Sequence, residues 1–93
     1  MVQLITIPMT LAQAGDENLV SRAQAKLIAR EIEKLGELHT VCLDFANIPV
    51  IGQGFADELF RVFAASHSNI TFQPVNCNPA ILAMIARAKG TVR

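Results

Sequence analysis

Residues 39–63 read HTVCLDFANIPVIGQGFADELFRVF, and two different periodicities meet inside them. In the first part Val41, Leu43 and Phe45 alternate with Thr40, Cys42 and Asp44, the period of two of a strand covered mainly on one face. In the second part Ala56, Leu59, Phe60 and Phe63 recur at spacings of three and four, and His67 continues the series beyond the quoted stretch; this is the period of a helix. The turn Ala46-Asn47-Ile48-Pro49 separates the two, and Gly52-Gln53-Gly54 opens the helix. Phe55 and Val62 widen the apolar stripe, so the helix is expected to pack on two neighbours, or on one neighbour and a partner protein, with an exposed apolar patch around those two residues.

The same alternation continues on either side. Upstream, Leu4 to Pro8 suits a strand, and residues 13–18, polar and containing Gly15-Asp16, suit the loop that leaves it. Residues 18–20 have room for a short extra strand but no periodicity to support one. Ser21 and Gln24 have the spacing of a capping box; Ala25, Ile28, Ala29, Ile32 and Leu35 then share one helical face, and Gly36 supplies a stop. Downstream, Ile70 to Val75 makes a third strand ended by Pro74, and Asn78-Pro79 caps a third helix with Ile81, Leu82, Ile85 and Ala86 on its apolar side. Arg87 and Lys89 sit where the negative end of that helix favours cations. Strands alternating with helices in the order β-α-β-α-β-α imply an α/β fold with a small, largely parallel or mixed sheet.

Ninety-three residues, 52% of them hydrophobic, are enough for one core and one domain over residues 1–93. Eight basic and eight acidic side chains cancel, so no global field holds a nucleic acid or an anionic membrane. Five Phe and no Tyr or Trp, mostly within helical patterns, provide no evident platform for base stacking. Cys42 and Cys77 form no CxxC pair and read as buried or half-buried thiols, which favours a reducing, cytoplasmic setting. Ala12-Gln13-Ala14 resembles a signal-peptidase site, but no Lys or Arg precedes it and the apolar stretch before it is interrupted. The longest apolar run, residues 80–86, is too short to span a bilayer. No metal or cofactor motif is present, so none is expected.

From residue 19 to about residue 89 the chain resembles the STAS-like domains of unknown function, relatives of sulfate-transporter and anti-sigma-factor-antagonist domains. The residues that carry the resemblance are Ser21-Arg22-x-Gln24-Ala25, Leu43-Asp44-Phe45, and the run from Ile51 through Gly52-Gln53-Gly54-Phe55-Ala56-Asp57-Glu58-Leu59-Phe60-Arg61-Val62 to Phe63. Gly54 departs from the family pattern, where Ala is more usual. The resemblance implies a compact regulatory fold of bacterial-type signalling that docks onto a partner, in several cases a histidine-kinase-type ATPase. Anti-sigma antagonists are switched by phosphorylating a hydroxyl residue at the start of the helix after the central strand. No Ser or Thr occurs between Val41 and Ala65, so that switch is not carried over.

Three sets of residues are candidates for function. Gly52, Gln53 and Gly54 could converge amides on a small anion or nucleotide, or simply permit a sharp turn. Phe55, Asp57, Glu58, Arg61 and Val62 could form a recognition surface, although Asp57 and Arg61 one turn apart are also an ordinary intrahelical pair. Arg22, Lys26, Arg30 and Lys34 form a basic band along the first helix, a solvated face or a docking strip for an acidic partner. Acid-base chemistry would need Asp44, Cys77 and a histidine to meet at the strand ends, and no catalytic motif joins them. The expectation is a non-catalytic module that binds a protein partner, with self-association through the Phe-rich helix as an allied outcome.

Overall fold

The structure, a computed structural model, describes residues 3–13, 18–35 and 39–90. Three six-residue strands, β1 (Gln3–Pro8), β2 (His39–Asp44) and β3 (Ile70–Val75), form a sheet in the order β1-β2-β3. Both pairings are parallel and in simple register, Ile5 beside Val41 beside Phe72 and Thr6 beside Cys42 beside Gln73. The sheet is therefore parallel throughout. The third strand has the expected range and includes Pro74 one residue before its end; β3 is an edge strand, where a missing amide donor is tolerated.

Parallel strands that advance in one direction through right-handed crossovers receive all their helices on the same face. Burial along the strands agrees. Ile7, Val41 and Leu43 are buried on one face, with Ile5 and Phe72 half-buried beside them, whereas Leu4, Thr6, Thr71 and Gln73 on the other face are exposed. Cys42 is the buried member of that open face, and its thiol lies 3.6 Å from Gln73 Oε1. Both Cys42 and Cys77 are free thiols, the first buried and the second half-buried.

The helix layer is built from three elements. Helix α1 (Arg22–Glu33) starts at the expected capping box: Ser21 Oγ accepts from the Gln24 amide at 3.1 Å, and Gln24 Oε1 accepts from the Ser21 amide at 3.0 Å. Its buried residues are Ala25, Ile28, Ala29 and Ile32, with Leu35 packed at the margin. The second helix, α2, runs through Gln53–Asp57, a π-helical stretch Glu58–Phe63 and a last turn Ala64–Ser66. It lies between α1 and the third helix, α3 (Pro79–Gly90), touching both, so its wide apolar stripe is satisfied by two neighbours and the sheet. Phe60 and Phe63 close on Phe72 of β3, at ring-centroid distances of 5.9 and 6.0 Å.

Two expectations need correction here. Phe55 is fully buried rather than part of an exposed patch, because the first turn of α2 is pressed against the segment before α1 and turns that ring into the core. On α3 the inward side is Ile81, Met84, Ile85 and Ala88, whereas Leu82 and Ala86 face outward; α3 is apolar nearly all round, so periodicity alone could not orient it. The short strand considered at residues 18–20 is reduced to a single parallel bridge between Leu19 and Ile51. The glycine stop at Gly36 and the loop at Gly15-Asp16 lie outside the described residues. No helix among the described residues is long and apolar enough to cross a membrane.

Candidate functional site

The capping box fixes where α1 begins, and therefore where Arg22, its first residue, sits. From there its guanidinium spans to α2. Arg22 Nη1 is 2.7 Å from Asp57 Oδ2 and 3.4 Å from Glu58 Oε1. Arg61, one turn further along α2, donates to the same carboxylate through Nε to Oδ1 and through Nη2 to Oδ2 at 2.8 Å. Asp57 is thus held by two guanidiniums from two helices. The hydrogen bonds from Arg61 first, and then from Arg22, hold its carboxyl far below the usual carboxylate range.

The layering of this cluster bears on function. The carboxylates are the lower layer, with side chains 17% exposed for Asp57 and 14% for Glu58; the guanidiniums are the upper layer, 52% exposed for Arg22 and 55% for Arg61. A guanidinium carries five N–H donors in a rigid fork. Those not engaged below are left facing solvent, already oriented. Glu58, Arg61 and Val62 all belong to the π-helical stretch, a feature that recurs at functional sites because one extra residue per turn alters which side chains share a face. Val62 is 37% exposed beside them.

The glycine turn has a steric role. A Cβ at Gly52 would stand 2.7 Å from Val20 Cα, and one at Gly54 would stand 3.1 Å from the Val20 carbonyl oxygen. The Gly52 amide donates to the Leu19 carbonyl at 2.7 Å and the Phe55 amide to the Val20 carbonyl at 3.1 Å. Of the amides of Gly52, Gln53 and Gly54 that an anion nest would use, that of Gly52 is thus already engaged. The glycines let the start of α2 lie against residues 19–20, and this contact brings Arg22 over Asp57.

The remaining candidates are dispersed. Lys26 and Arg30 continue from Arg22 along α1, exposed, beside a groove between α1 and α2; Lys34 pairs with Glu31 at 3.1 Å. Asp44 lies at the C-terminal end of β2, where its Oδ1 accepts from the Ala46 amide and from Asn76 Nδ2, both at 2.9 Å. Those bonds, Asn76 foremost, lower its pKa. Cys77 is close by, its thiol pushed up by burial and by the Asp44 charge, which opposes thiolate formation. His67 does not join them. It closes the other end of α2, stacked on Phe63 at 3.9 Å with Nε2 3.4 Å from Glu33 Oε2. Among the described residues no cluster of His, Cys, Asp and Glu is placed to hold a metal ion.

Sequence reasoning placed Arg22 in a basic band and Asp57 with Arg61, and missed that the three form one cluster. The available signal was that Arg22 and Asp57 lie in two of the blocks that carry the resemblance. The family model for the STAS-like domain of unknown function (DUF4325) matches residues 24–82, more than half of the chain. The chain belongs to this STAS-like family. No curated protein and no solved structure matches it. In this STAS-like domain the match includes Asp57, Glu58 and Arg61 and begins two residues after Arg22. Membership suggests a regulatory or interaction module and names neither partner nor activity.

Proposed function

We propose that this STAS-like domain is a non-catalytic regulatory module that binds a protein partner through the surface shared by α1 and the π-helical part of α2. The observation that carries the reading is the Arg22-Asp57-Arg61 cluster, in which a half-buried carboxylate from one helix positions two exposed guanidiniums from two helices. Exposed ion pairs add little to stability, whereas an arrangement of this kind suits recognition, where preoriented donors reduce the ordering cost of binding. Arginine is also enriched among the residues that dominate protein interfaces. A histidine-kinase-type ATPase is the partner class to which the family likeness points.

The reading is tested by quantitative capture from native extract with the wild-type chain and an Arg22→Gln, Arg61→Gln variant, followed by reconstitution of the captured protein from purified components. A specific partner should bind the variant at least tenfold more weakly while the far-ultraviolet spectrum of the variant stays native. Equal binding by a folded variant would remove this surface from the function.

A further inference from the structure

Between α1 and α2 runs a groove of about 290 Å³ whose charges are unevenly matched. Its acidic groups stand at its two ends: Glu58 lies against Arg22 at 3.4 Å, and Glu33 lies 3.4 Å from His67, a contact that is an ion pair only when the imidazole is protonated. Midway, Lys26 and Arg30 project from α1 and have no acidic partner among the described residues. Across from them α2 contributes Val62, 37% exposed, above the buried ring of Phe63. The groove therefore offers two unmatched cations on one wall and an apolar contact on the other.

We infer that this groove seats an acidic amphipathic helix of a partner protein, its carboxylates on Lys26 and Arg30 and an apolar side chain over Val62. The inference rests on the interaction reading above and adds to it the chemistry of the partner. Three considerations select the occupant. Lys26 and Arg30 are four residues apart, about 6 Å along α1, the separation of carboxylates one turn apart on another helix. Seating an apolar anchor in a helix-lined groove with charges along its rim is an established mode of helix recognition. The chain as a whole has no net charge, so two cations on one helix stand in no extended positive field of the kind a nucleic-acid backbone needs.

The test is selection from a display library of randomised helical peptides against the full chain, with the selected peptides then titrated by amide NMR. The expected result is a consensus bearing Asp or Glu at positions four apart beside an apolar residue, with shifts confined to the groove around Lys26, Arg30, Val62 and Ser66. Affinity should fall at least tenfold in Lys26→Glu, Arg30→Glu and in the milder Lys26→Ala, Arg30→Ala, and stay within twofold in Arg87→Glu, Lys89→Glu, which reverses the basic end of α3. A neutral or basic consensus, acidic peptides that bind all variants alike, no binder at all, or a short RNA that displaces the peptides from the groove would overturn the inference. Any of these together with intact, Arg22- and Arg61-dependent capture of a native partner would leave the interaction reading standing without this occupant.

Discussion

Gly52 and Phe55, three positions apart, differ in what they tolerate for reasons visible only in three dimensions. A methyl group at Gly52 meets the backbone of Val20 at 2.7 Å, a contact that no rotamer can relieve. Gly52→Ala should lower stability by about 1–3 kcal/mol, as overpacking does, and chemical denaturation will measure it. Gly54→Ala should cost less, because the methyl meets a single carbonyl oxygen at 3.1 Å and alanine restores up to about 1 kcal/mol of helix propensity. Equal losses at the two positions would contradict the close approach of residues 19–20. Phe55 is fully buried, whereas Val62 is 37% exposed: Phe55→Ala should cost about 3–5 kcal/mol and Val62→Ala no more than about 0.5 kcal/mol. At this scale the sequence was least legible. Phe55 and Val62 both read as margins of one stripe, and only the contact with residues 19–20 decides that the first is core and the second surface.

At the scale of elements, most boundaries were legible because each has its own chemistry. Ser21 with Gln24 and Asn78 with Pro79 start helices where capping rules place them; the Ile81 amide donates to Asn78 Oδ1 at 2.9 Å. The alternation at Val41, Leu43 and Phe45 separates β2 from α2. What could not be read was the π-helical stretch, which no propensity marks, and the link between α1 and α2 through Arg22, since a pair 35 positions apart leaves no local pattern. That link carries a pH dependence. Asp57 has its carboxyl pKa lowered in the folded state by Arg61 and Arg22, so its contribution to stability is present above about pH 5, where the unfolded group is also ionised, and is lost as pH falls below about 4. Denaturant midpoints measured from pH 6 to pH 2 should therefore fall less steeply for Asp57→Asn than for the wild type. Parallel curves would mean that the carboxylate is not held by the two guanidiniums. Asp44, lowered by Asn76 and the Ala46 amide, contributes in the same direction and remains in the variant.

For the molecule as a whole, strand order and crossover direction place every helix on one side of the sheet. The β-α-β-α-β-α order, and the one-sided cover that the alternation of β2 implies, were legible from periodicity; that the sheet is parallel throughout was not, because strand pairing leaves no mark in a single strand. Parallel sheets are usually covered on both faces, and here Leu4, Thr6, Thr71 and Gln73 remain exposed. The molecule thus has two contrasting surfaces, the open sheet and the charged face of α1 and α2. We propose partner binding at the second, for a reason of preorganisation: its guanidiniums are anchored from below, whereas among the described residues of the open sheet the oriented charge is Asp44 at its end, whose Oδ1 is occupied by Asn76 and Ala46.

The most direct measurement is amide hydrogen exchange on the full chain, alone and bound to the partner recovered by capture. New protection is expected in residues 22–30 and 57–66, with the open-face strands unchanged. Protection on β1 and β3, with the exchange of α1 and α2 unaltered, would contradict it and move the binding site to the other side of the molecule.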